Sequence, residues 1–130
     1  MMGQYQIPGT HDRQMAHAGV AANAAANKIV LVAPFDCKLA TVSFFPVAQM
    51  AHNDTNYCIF DVADADGDSF LAAPFSFNTA YGDLDAFEEL SLDCQDAELD
   101  AGDVVVLEIT QQAGGLAVPV FNTAAFFLAR

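Results

Sequence analysis

Basic side chains are scarce in this sequence: four Lys and Arg stand against 17 Asp and Glu, a formal charge of −13 over 130 residues. So acidic a surface repels phosphate backbones and anionic lipid, because binding either depends largely on Lys and Arg. Nucleic acid and membrane are therefore not expected partners. Tryptophan is absent, so the eleven Phe must fill most of the core. The few cysteines, Cys37, Cys58 and Cys94, are odd in number, far apart and set in apolar runs. That pattern gives neither a disulfide framework nor a metal knuckle. Buried thiols acting as small hydrophobes are expected, which fits assembly in a reducing cytoplasm. His11, His17 and His52 lack the spacing of metal ligands. No run is long enough to span a bilayer, and no basic start leads into the apolar stretch of a secretion signal. Nucleophile elbow, HExxH, P-loop and dinucleotide fingerprint are all missing. With no catalytic constellation, an enzyme is not expected, nor is a cofactor or a resident metal.

What is present is hydrophobic: 54% of residues are apolar and 16% charged, the balance of a folded chain. A chain of this length makes one domain that buries roughly two-thirds of its unfolded surface. Its organising stretch is Ala101-Gly-Asp-Val-Val-Val-Leu-Glu-Ile-Thr110. Gly102 and Asp103 turn the chain. Val105, Leu107 and Ile109 then alternate with Val104 and Val106, beyond which lie Glu108 and Thr110. Stiff β-branched side chains pack well on a pleated surface, so this predicts a central strand. With both faces apolar at its start, the strand is expected to be covered on both sides there, by a second sheet or a neighbouring subunit.

Similar runs fill residues 28–130. Strands are predicted at Ile29–Val32, at Lys38–Phe45 and at Tyr57–Val62. Further strands fall at Phe70–Phe77, Phe87–Leu92 and Val118–Leu128. In Lys38–Phe45, Ala40, Val42 and Phe44 share one face, with Leu39, Thr41 and Ser43 on the other. Asp93–Asp100 is expected as an acidic connection, and Gln111–Gly115 as a flexible turn. Seven to eight strands with turn signals about every ten residues mean an antiparallel sandwich or barrel. Residues 1–27 differ: they are polar around Pro8 and Gly9, then alanine-rich from Met15 to Asn27. They are expected to form an extended N-terminal arm with at most a short helical turn, either free or docked.

Four candidate sites can be weighed on the residues alone. Asp61, Asp64, Asp66 and Asp68 surround Gly67, but in an EF-hand register Val62 and Ala73 would occupy two essential ligand positions. A solvated hairpin turn is expected instead. Glu88 and Glu89 are neighbours on a predicted strand and so point to opposite faces, which prevents them from flanking one glycosidic bond. Tyr57 and Tyr81, beside Asn56 and Asp83, are the candidate sugar platforms, although tyrosines at the core edge look the same in sequence. Tyr5, Ile7 and Met15 are apolar points in the polar arm.

The layout resembles the small jelly-roll decoration (cement) proteins of tailed bacteriophages. The likeness lies in the Ala/Gly-rich lead-in His17–Asn27 running into Lys28–Pro34, in Thr41–Phe45, in Asn53–Asn56, and in the turn and strand Ala101–Glu108. It covers residues 17–128. It implies a jelly-roll-like antiparallel β-sandwich that binds the major capsid protein on the virion exterior as a homotrimer, assembled in the host cytoplasm. It further implies that the arm is the capsid-binding element, which singles out Tyr5, Ile7 and Met15. The strong negative charge departs from what attachment to a shell would suggest. A phage head-fibre, a receptor-binding tip or a carbohydrate-binding sandwich is the alternative.

Overall fold

The computed structural model describes residues 10–130, which form eight β-strands and no helix. In chain order these are β1 (Thr10–His17), β2 (Ala26–Val32), β3 (Cys37–Pro46) and β4 (Tyr57–Asp64). They continue with β5 (Phe75–Ser76), β6 (Leu90–Leu99), β7 (Val104–Gln112) and β8 (Phe121–Ala129). Two four-stranded antiparallel sheets result, one in the order β1-β8-β3-β6 and the other β2-β7-β4-β5. Within them β1 pairs with β8, β2 with β7, β3 with β6 and β4 with β5. Nested pairing of this kind is one long hairpin rolled up on itself, the jelly roll.

The strand at Val104–Gln112 behaves as its alternation predicts. Val105, Leu107 and Ile109 are fully buried between the sheets, while Val104 and Val106 lie half-buried on the outer face. Phe60 on β4 meets Phe44 on β3 across the sandwich at 4.8 Å between centroids, and Phe44 meets Phe121 on β8 at 4.7 Å. Phenylalanine thus fills the centre, as the lack of tryptophan requires. Cys37, Cys58 and Cys94 are free and buried. Burial pushes the Cys58 and Cys94 thiols up to about 12, which leaves them protonated and inert at neutral pH.

Several elements depart from the sequence expectations. In β3 the register shifts between Leu39 and Thr41, and this bulge turns Leu39 inward with Val42 and Phe44. Phe70–Phe77 is a strand only at Phe75–Ser76, because Pro74 cannot donate to a ladder. Asp93–Leu99, expected as a connection, is the second half of β6. Its alternation changes phase at Gln95 and Asp96, both at positive φ.

Thr10–His17 of the expected arm is a full strand on β8. Past it, Val20 and Val118 exchange backbone bonds at 2.8 Å. The alanine-rich stretch runs against the β7–β8 turn so closely that a Cβ on Gly115 would lie 1.7 Å from the Ala22 carbonyl. Small side chains here permit close backbone approach, which local propensity cannot register.

Candidate functional site

The outer face of the first sheet carries a concavity of about 520 Å³. Strand parity builds its floor. In β8 the residues Phe121, Ala125 and Phe127 point into the core, so Asn122, Ala124 and Phe126 point out. In register with them stand Gln14 and Ala16 from β1 and Phe45 from β3. Met15 borders the groove at the sheet edge, and Phe87 closes it from the loop before β6. Among the described residues no charged side chain lines it, although the sequence holds 17 Asp and Glu.

Phe87 is 70% exposed and sits at φ 65°. A bulky aromatic in the left-handed region costs about 1–3 kcal/mol and persists only where its surroundings hold it. Here they do. The Phe87 N–H donates to the Pro46 carbonyl at 2.6 Å, and Ser43 Oγ donates to Glu89 at 2.5 Å. Gln49 donates to the Asp85 carboxylate at 3.1 Å, and Glu88 accepts from the Asp85 N–H at 2.9 Å. A pinned loop therefore displays a strained phenyl ring over an uncharged groove. The sequence expectation placed Phe87 inside a strand, but β6 begins only at Leu90.

The other candidate residues fall elsewhere. Tyr5 and Ile7 lie outside the described residues, and Met15 is half-buried on β1. Tyr57, at the start of β4, packs against the core. Tyr81 is 37% exposed and meets Phe75 and Phe77 edge-on at 4.6 and 5.6 Å. Burial, with Glu88 nearby, raises its phenol above the ordinary value.

His52 donates to Asp83 from its backbone N–H at 3.0 Å and contacts it through Nδ1 at 2.5 Å. Those bonds hold the Asp83 carboxyl below its ordinary range. His17 stacks on Phe121 at 4.9 Å between centroids, and its Nε2 meets Thr123 Oγ1 at 2.9 Å. Burial and then Lys28 lower its pKa.

In the acidic turn, Gly67 takes φ 91°, and Asp64 accepts the N–H groups of Asp66 and Asp68. Asp61 accepts from Ser69 Oγ at 2.5 Å. These carboxylates serve the hairpin.

No family model matches this chain. No curated protein matches it either. A chain in the structure of infectious bursal disease virus, Gx strain, is similar at 11% identity with a TM-score of 0.39, over 95% of this chain and 32% of that one.

Proposed function

We propose that this chain is a structural virion protein that decorates the outer surface of a tailed-phage capsid, as a homotrimer bound to the major capsid protein. The observation that supports this best is Phe87, strained and exposed over a charge-free groove. Strain at an exposed apolar side chain fits a surface that another protein covers. The partner surface it suits is apolar and uncharged, since the groove offers neither a carboxylate nor a basic group. An uncharged groove fits attachment of so acidic a chain through apolar contact.

On this proposal the protein performs no reaction. It binds the expanded shell in preference to its precursor, and mass action over many copies stabilises that state. Met15 borders the contact, and Tyr5 and Ile7 belong to residues 1–9, which precede β1 in the sequence. The protein would be made in the host cytoplasm and reside on the virion exterior.

The experiment is co-sedimentation of the purified chain with expanded and unexpanded heads, together with its copy number in virions. Saturation near one copy per capsid subunit, on expanded heads only, is expected. A few copies per particle would instead favour a head fibre or receptor-binding tip. Absence from virions would remove the proposal. The carbohydrate alternative rests on Tyr81, and quenching of its fluorescence by sugars, lost in Tyr81→Ala, would favour it.

A further inference from the structure

The basic side chains are few, and they are not spread evenly. Arg13 on β1 and Lys28 on β2 share residues 1–32 with Asp12, and every other carboxylate lies later in the chain. The topology turns this into a polarity. Strands β1 and β2 end their respective sheets on one side of the sandwich, and β6 and β5 end them on the other. That far side is closed by Gln95, whose amide donates to the Phe70 carbonyl at 2.9 Å. It exposes Glu88, Asp93, Asp96 and Glu98, with one basic residue, Lys38 on β3, in register opposite Glu98.

Arg13 and Lys28 have no carboxylate partner within 4.0 Å among the described residues, where the ion pairs are His52–Asp83 and Arg130–Asp100. Residues 1–9 contain no carboxylate.

The edges also differ in their backbone. Strand β5 has two residues, β6 carries two residues at positive φ, and β2 shifts register between Ile29 and Leu31. Short strands and bulges blunt a sheet edge. Strand β1 has neither: its eight residues run in unbroken register with β8, and among the described residues nothing pairs with its opposite edge. Two acidic edges repel each other, as do two basic ones. A second copy that presents its acidic side supplies carboxylates to Arg13 and Lys28, and a contact between unlike patches closes into a ring when its rotation allows.

We infer that copies of this chain join head-to-tail, the β1/β2 edge of one sandwich against the β5/β6 edge of the next, through opposite charge rather than through a continuous sheet. The inference deepens the homotrimer proposed above and rests on it only for the number of copies in the ring.

Sedimentation velocity of the full chain tests it. Assembly is expected at 0.1 M NaCl and is expected to weaken about tenfold or more at 1 M, where the screening length falls from about 10 to about 3 Å. Arg13→Glu, an exposed substitution, should yield folded monomer by circular dichroism. Adding Glu98→Lys, an exposed position of ordinary backbone, in the same chain should restore assembly, which a merely destabilising change would not permit. Wild-type protein that stays monomeric, an Arg13→Glu protein that still assembles, or a charge swap that fails to rescue would each overturn the inference. Head binding by a monomeric wild type would remove the ring and keep the decoration role; a ring that ignores heads would do the reverse.

Discussion

Replacing Phe87 by glycine separates what that residue does for the fold from what it does for binding. At 70% exposure the ring hides about 60 Å² of the ~200 Å² that a buried Phe removes from water, about 1.5 kcal/mol at ~25 cal/mol per Å². Glycine loses that and costs about 0.5–1 kcal/mol more in chain entropy. It recovers about 1–2 kcal/mol, because φ 65° no longer opposes a Cβ. The net loss is below about 1.5 kcal/mol, a fall in Tm of about 5 °C or less. At an interface the exposed remainder of the ring, about 140 Å², contributes about 3.5 kcal/mol, or roughly a few hundredfold in Kd. Phe87→Gly should therefore melt close to wild type by calorimetry and bind expanded heads roughly a few hundredfold more weakly. Phe87→Asn tolerates the same backbone and should behave alike. A fall in Tm beyond about 10 °C would make the ring part of the core, and unchanged head affinity would mean that the groove is not the contact.

Gly115→Ala should destabilise by more than about 2 kcal/mol in urea titration, since its Cβ would meet the Ala22 carbonyl at 1.7 Å and φ is +73°; a loss under about 1 kcal/mol would contradict the close approach. The imidazole of His17 is held below its ordinary 6.5, so between the folded and unfolded values the unfolded chain binds more protons. Stability should accordingly fall as pH drops below about 6.5 and level off below the folded value, and His17→Gln should remove that limb of the pH profile. Asp83, whose pKa is lowered, acts in a separate window: its contribution is present above its ordinary 3.8 and is lost as pH falls through the folded value. The three buried thiols should resist a thiol reagent at pH 8 until the protein unfolds; rapid labelling of native protein would show that the core opens.

Much of the architecture was legible because strand parity is a local property. Val105, Leu107 and Ile109 could be assigned to one face since β7 has no bulge, and Cys58, Phe60 and Val62 likewise. Where a bulge intervenes, parity breaks without a mark in the sequence, as at Leu39 and again at Gln95 and Asp96. Strand β1 escaped for another reason: its inner face is written in polar residues. By register His17, Met15 and His11 share the core side with Phe121, Thr123 and Phe127. The two imidazoles stack on phenyl rings at 4.9 and 5.7 Å instead of supplying apolar side chains. A His-rich edge strand covering a sandwich seam looks like a solvated arm when only hydropathy is read.

The groove was hidden for a related reason. Its floor is the outer face of β1, β3 and β8, and in a stretch as apolar as Phe121–Ala129 alternation does not tell which face turns outward. Its lip depends on bonds between residues far apart in the chain. Ser43 reaches Glu89 across 46 positions, and Pro46 takes the Phe87 N–H. In local alternation Phe87 and Glu89 are simply the face opposite Leu90 and Leu92. In the fold they belong to a loop whose geometry β3 dictates. Parity therefore locates what each strand buries, whereas long-range bonds to loops decide what the molecule presents. In this loop those bonds run through the carboxylates of Asp85, Glu88 and Glu89, and Phe87 is the apolar side chain they hold exposed among them.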